Sequence, residues 1–414
     1  MKQSLWNRNF MLYICGMAIS ALGGIGLNLA LSVVVFEQTQ STLLASVFTA
    51  ISMIPHFIMP LFVGPYIDRH NPLKVLLRNE SFLAVFFLAA AAIVHVYGFH
   101  YYLYLLITLL TSSFGVISRL ASESMAPQLM EQQYYSKGNA IINLVYPLAS
   151  VIAVPIVMKL FQLYGVTFIF ALYAITTILD IAIESQIKVS FEFIETETTT
   201  WNDYVQDLKE GYHYVRNDTA VLVVFIYFAC VMFAEGSSSL IYPFFNQHPQ
   251  LTNDHYATLQ SIRSLGYLAG GFLHYFIHIP NHKRYLVALV VYLLFVFADG
   301  SFFFMPFALM CAAKFFLGIA GMNSANIRVS AIQTRVPARY RAKVNAFYSI
   351  LVFGAQIIGE LAAGSLGEWL DYRWIQIGMS TMYLVAIIIL VLPKKHKVKE
   401  LYNFELTPVE NVLS

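Results

Sequence analysis

Charge is what this 414-residue sequence has least of: Asp, Glu, Lys and Arg make up 12% of it, while hydrophobic residues make up 58%. A soluble domain is about 25% charged. A water-facing surface of this size is therefore excluded, and lipid is the solvent that removes the conflict. Cysteine is scarce as well. Cys15, Cys230 and Cys311 each lie in an apolar run and form no CxxC pair, which excludes a disulfide framework and a thiolate metal site. A Gly-rich phosphate loop is missing, so ATP is not used directly. His56, His95, His274 and His278 are scattered without metal spacing; the last two stand one turn apart near a helix end. The reading is therefore no enzyme chemistry, no cofactor and no metal. A net charge of +2 offers no bulk attraction to nucleic acid.

Long apolar runs fill the space that charge leaves. A helix needs about 20 apolar residues to cross a bilayer. Such runs fall at 10–36, 43–64, 74–97, 101–124, 140–161, 166–185, 220–245, 255–278, 285–299, 302–331, 345–368 and 373–393, the ninth being short and ending at Asp299-Gly300. The first is too long for a signal-peptide core and lacks a small-residue cleavage site, so it reads as a retained helix. Aromatic residues, at 15%, fit interfacial belts. With the N-terminus placed in the cytoplasm, nineteen Lys and Arg fall on cytoplasmic segments, against only Lys159 and Arg373 outside. That asymmetry puts both termini on the positive side and requires an even number of helices.

The longest polar stretch divides the chain. The predicted organisation is a six-helix half over 1–185, a cytoplasmic linker over 186–219, a second six-helix half over 220–393 and a cytoplasmic tail over 394–414. The linker reads as a short amphipathic helix on the membrane surface, with Thr200 as N-cap, Asp203 three residues on, and Leu208, Tyr212 and Val215 at helical spacing. The two halves echo each other. Lys137-Gly138-Asn139-Ala140 opens the fifth run, and Lys343-Val344-Asn345-Ala346 opens the eleventh. Parallel half-repeats of this kind belong to membrane transporters.

The connection after the second run reads Gly64-Pro65-Tyr66-Ile67-Asp68-Arg69-His70-Asn71-Pro72-Leu73-Lys74. It resembles the loop signature of the major facilitator superfamily. Trp6, Asn9-Phe10, Gly16, Ser20, Gly23, Thr39, Ser41 and Pro55, then Val336-Pro337, Arg341, Tyr348, Gly354, Gly359 and Gly364, resemble its macrolide-efflux and enterobactin-exporter branch. Linker residues Asp207 to Gly211 and Tyr214 to Arg216 match that branch too. The resemblance implies an all-α membrane fold of twelve helices in two pseudo-repeat halves. It implies a secondary transporter of the bacterial inner membrane, monomeric, that exports a small amphipathic molecule by alternating access with a proton as coupling ion. The cargo is either drug- or macrolide-like or a carboxylate siderophore. An importer, or a non-transporting sensor or scaffold, is the alternative. It also implies a cytoplasmic gate at Gly64, Asp68, Arg69 and Lys74, and a cavity lined by all spans except three, six, nine and twelve. The sequence departs from the signature at Asn71 and Pro72, and its fifth span lacks the Gly-Pro pair of drug–proton antiporters.

Ionisable residues inside spans cost about 2.5–3.5 kcal/mol each on insertion scales and mark functional sites. Arg119, Glu235, Arg263, Lys314 and Glu360 fall on spans that the resemblance assigns to the cavity, with Gln356 one turn from Glu360 and Asn143 on the fifth span. Two readings stay open. The acids and bases neutralise each other as structural pairs, or an acid, Glu235 first and then Glu360, takes up and releases the coupling proton. Gly236 and Ser237 to Ser239 after Glu235 leave room for this. Arg119, Arg263 and Lys314 favour an anionic cargo only if those acids do not neutralise them. Asp180, in span six, reads as structural or snorkelling.

Overall fold

The computed structural model describes residues 5–188, 201–276 and 279–403, and there is no strand among them. Helix is what an apolar chain must form in lipid, because every backbone N–H and C=O has to be satisfied within its own segment. The order is α1 (Arg8–Thr39), α2 (Thr42–Met53), α3 (Pro55–Asp68), α4 (Pro72–Tyr97), α5 (Tyr101–Met125), α6 (Tyr135–Glu184), α7 (Trp201–Asn217) and α8 (Thr219–Glu235). Then follow α9 (Ile241–Gln247), α10 (Asn253–Phe276), α11 (Arg284–Gly300), α12 (Phe307–Arg335), α13 (Ala338–Gly367), α14 (Tyr372–Ala386) and α15 (Lys395–Tyr402).

Local chemistry sets the ends. The Asn7 side chain accepts from the Phe10 amide at 2.9 Å to open α1. Asn71 accepts from the Lys74 amide at 3.1 Å and Pro72 stands at the first turn of α4, so the two departures from the loop signature form an N-cap followed by proline at N1. Among the described residues, nine helical segments are long and apolar enough to cross a membrane. One of them, α6, contains Gly165 at φ 74°, a conformation that costs glycine nothing, and there the long helix turns into two spans. With α10 and the short α11, the count is the twelve spans that the sequence implies.

The chain forms two compact units. The first comprises Met1–Trp201, Ser239–Leu265 and Ala363–Glu368. Its centre is the packing of α1 and α4 on α6 and of α3 on α5, with Phe87, Tyr104, Phe170 and Tyr173 in ring contact. Two carboxylates tie its later segments down. Glu37 accepts from the Tyr242 hydroxyl at 2.6 Å and from Asn253 at 3.1 Å. Glu368 accepts from the Ser41 hydroxyl at 2.7 Å, the Thr42 hydroxyl at 3.1 Å and the Leu43 amide at 2.9 Å.

The second unit comprises Asn202–Ser238, Gly266–Ala362 and Trp369–Ser414. Here α11 packs on α14, and α14 and α15 pack on α8. The linker helix α7 lies on the start of α13: Lys343 bonds Asp207 at 2.8 Å and Glu210 at 2.5 Å. A side chain on Gly211 would strike the Lys343 carbonyl. The hydrogen bond from Lys343 holds the Glu210 carboxyl below its usual range. Thr200, read as the N-cap, lies outside the described residues.

Partial burial acts to raise the Glu368 carboxyl, but the three donors from Ser41, Thr42 and Leu43 outweigh it and hold it below its usual range. A depressed carboxyl stabilises the fold above its unfolded titration range, and that contribution is lost as pH falls through the folded one. Because Glu368 is exposed, Glu368→Gln is expected to cost only about 0.5–1 kcal/mol at neutral pH. The difference should vanish in strong acid; thermal unfolding in detergent across pH checks both.

Candidate functional site

In the second unit, Lys314 pairs with neither of the expected acids. Its ammonium donates to Asp299 Oδ1 at 2.9 Å, with side-chain exposures of 9% and 2%, and lies 4.6 Å from the Phe302 ring centroid. In the sequence Asp299 reads only as the end of the ninth span. A buried aspartate at a span end, followed by a lone lysine in the next span, is the signal that was there to use. Lys314 is therefore neutralised within its own unit.

Glu360 on α13 is 3% exposed. Gln356, one turn earlier on the helix, donates to its Oε1 at 3.0 Å, and its Oε2 has no partner. Glu235 accepts from the Tyr383 hydroxyl at 3.4 Å and lies close enough to Glu360 to act on it electrostatically. The helix breaks directly after Glu235: α8 ends, Gly236–Leu240 forms a 3-10 turn, and α9 resumes. Gly236 leaves room, as expected, but backbone fills it. A Cβ on Gly236 would strike Gly359 and the Glu360 amide, and one on Gly359 would strike the Phe233 carbonyl. The two acids thus sit where two helix backbones touch.

Sequence reading does not single out Arg328. Its guanidinium lies 3.7 Å from the Phe228 ring centroid and 5.9 Å from that of Tyr348, and it makes no ion pair among the described residues. No spacing along the chain points to this contact, because the three residues lie on separate helices.

In the first unit, Arg119 pairs with Glu123 at 2.9 Å across one turn, both well exposed, so it is already neutralised too. Arg263 is half-buried on α10, and Asn143 is exposed on α6. Of the loop residues, Gly64 has open space around it, Arg69 caps α3, and Lys74 contributes its amide to the Asn71 cap. The side chains of Asp68 and His274, and all of His278, lie outside the described residues.

The same unit holds a cavity of about 710 Å³, lined from α1, α2, α3, α4, α5 and α6. It reaches three buried carboxylates, Glu80, Asp180 and Glu184. Asp180 is therefore not a snorkelling residue: it is 3% exposed and belongs to a cluster. Glu80 and Glu184 are hidden from sequence reading because each stands near a span end, where a carboxylate ordinarily reaches water.

The sequence matches the Major Facilitator Superfamily over residues 13–298 and 223–409. Solved structures share the fold. The nucleoside transporter NupG is 12% identical with a TM-score of 0.72, covering 93% of this chain and 98% of its own. A mutant form of the peptide transporter POT, in complex with alafosfalin, is 12% identical with a TM-score of 0.72 and covers 97% of both chains. A bacterial homologue of the iron transporter ferroportin is 16% identical with a TM-score of 0.67, covering 97% of this chain and 100% of its own. No curated protein matches in sequence. Twelve membrane-spanning helices in two half-repeats define a secondary transporter fold. The chain belongs to the Major Facilitator Superfamily, and is a multi-pass membrane transporter rather than an enzyme.

Removing one member of a buried ion pair leaves the other uncompensated and costs about 3–5 kcal/mol. Asp299→Ala is expected to lower thermal stability by that order. Asp299→Ala combined with Lys314→Met should recover most of the loss, which a double-mutant cycle in detergent would measure.

Proposed function

We propose that the protein is a proton-coupled exporter of a small amphipathic compound, working by alternating access with Glu360 and Glu235 as the coupling acids. The observation that carries this reading is Glu360. It is buried, it has one neutral amide donor, and one of its oxygens has no partner. A buried ionised carboxylate without a cation is costly, and a proton removes the cost. Such a group loads and unloads a proton when its surroundings change. The helix break after Glu235 supports a change of that kind, since a 3-10 stretch within a span is a common hinge. The Gly64, Asp68, Arg69 and Lys74 loop takes the role of cytoplasmic gate in this scheme, and the Glu37 and Glu368 hydrogen bonds are ties that the cycle would have to break. Both termini are placed in the cytoplasm by the distribution of Lys and Arg, in a bacterial plasma membrane and as a monomer. Export rather than import rests on the resemblance to efflux proteins.

Two cargo classes follow from different observations. The neutralised Lys314 and Arg119 withdraw support from an anionic cargo, and the acid-lined cavity favours a cationic one. Arg328, stacked on Phe228 without an acid partner, favours a carboxylate siderophore as the second reading.

Proton-driven ethidium uptake into inverted vesicles tests the coupling. Glu360→Gln is expected to reduce it by about tenfold or more while leaving counterflow exchange, and Glu235→Gln should act in the same direction. Proton-driven uptake that is unchanged in both variants would sink the assignment. Drug susceptibility and supernatant carboxylate iron chelators in a deletion strain separate the cargo classes.

A further inference from the structure

Three carboxylates without a cation define the clearest unexplained site in the molecule. Glu80 comes from α4, and Asp180 and Glu184 from one face of α6. Each is 3% exposed. None makes an ion pair among the described residues, and Glu80 Oε2, Asp180 Oδ1 and Glu184 Oε2 have no partner at all. The donors present are neutral: the Ser118 hydroxyl on Glu80 and Ser20 on Asp180. Gly16 on α1 marks where two of the carboxylates converge. A Cβ there would lie 2.5 Å from Asp180 Oδ1 and 2.9 Å from Glu184 Oε1. The missing side chain lets both carboxylates pack against α1, in space that a Cβ would need.

We propose that Glu80, Asp180 and Glu184 bind the positively charged group of an amphipathic organic cation, which exchanges there with a proton. This rests on the transport reading and names its substrate class. Neighbouring buried carboxylates repel one another unless a proton or another cation stands among them. The buried Asp299 is met by its opposite in Lys314; here the opposite charge has to come from outside. The group does not form a metal-ion cluster among the described residues, which points away from a divalent ion. The cavity of about 710 Å³ lies in the size range of small-molecule sites, about 300–1,000 Å³. The other titratable groups on its wall are Tyr13 from α1, His56 from α3, Arg119 and Glu123 from α5, and Tyr146 and Tyr173 from α6. Arg119 is held by Glu123, so no wall cation is available to the triad. In the exchange one carboxyl O–H breaks, its proton leaves to water, and the carboxylate retains the electron pair as the cation takes the proton's place. Charge is conserved, and no other reactant is needed.

The test is equilibrium binding to the purified full chain in detergent, with no gradient present. Tetraphenylphosphonium and tetraphenylborate have the same shape and opposite charge. Tetraphenylphosphonium is expected to bind and to release protons into a lightly buffered solution, and tetraphenylborate to bind weakly. Glu80→Gln, Asp180→Asn and Glu184→Gln should each lower affinity by about tenfold or more and reduce the proton release. Equal binding of the two ions, or unchanged binding in all three variants, overturns the proposal. Should the variants not fold, the native chain answers the question. Dicyclohexylcarbodiimide is expected to label at least one of the three residues, and tetraphenylphosphonium to block it. Labelling only elsewhere, or labelling that the cation does not block, overturns the proposal as well. Selective binding without proton-driven transport would remove the coupling reading and leave this one. Proton-driven transport without selective binding would do the reverse.

Discussion

The Lys314–Asp299 pair, closed at 2.9 Å among apolar helices, shows the constraint under which the whole chain folds. An ion in apolar surroundings must find its opposite, take a proton or reach water, because desolvation alone costs several kcal/mol. Some of the in-span charges adopt one of these solutions. Lys314 and Asp299 take the first. Arg119 and Glu123 are exposed and paired across a single turn. Arg328 uses the face of Phe228 instead of an acid. Glu360 and the triad of Glu80, Asp180 and Glu184 use none of these within the protein, and for that reason they carry the functional argument.

The same constraint explains what can be read in the sequence. Composition and the lysine and arginine distribution identify the solvent, since membrane helices must be apolar throughout and cannot hide this. Run lengths locate the spans closely. The turn at Gly165 falls between the runs 140–161 and 166–185, and the break at Ser301–Pro306 follows the Asp299-Gly300 boundary. The loop from Gly64 to Lys74 leads to the superfamily. The Asn71 and Pro72 departures are legible too, as a cap and a first-turn proline, but only through their local geometry rather than their difference from a signature.

Partners across helices are not legible. Spacing along one helix pairs Gln356 with Glu360 correctly, because residues four apart share a face. Nothing along the chain joins Glu80 to Asp180, or Arg328 to Phe228, since each contact depends on which helix faces which. The assignment of span six to an outer, supporting role follows from the resemblance and sets Asp180 aside. Its carboxylate faces Gly16 of α1 instead. A glycine on one helix opposite an acid on another is a packing relation, and single-sequence periodicity carries no trace of it.

Close backbone approach then gives the acids of the second unit their setting. At Gly236 and Gly359 no side chain separates α8 from α13, so movement of one backbone there cannot be absorbed by a rotamer change and must be passed to the other. Glu235 precedes one glycine and Glu360 follows the other. A shift at the 3-10 break would alter the surroundings of both carboxylates together, and with them the cost of leaving either unprotonated. Thermodynamic reciprocity extends the point. If protonation biases the backbone toward one arrangement, that arrangement must favour protonation by the same free energy. A cation bound elsewhere in the chain can drive proton release only by preferring the opposite arrangement. In the proposed scheme, proton release from Glu235 and Glu360 would therefore run through that shared backbone contact, whereas at Glu80, Asp180 and Glu184 cation and proton would compete for the same carboxylates.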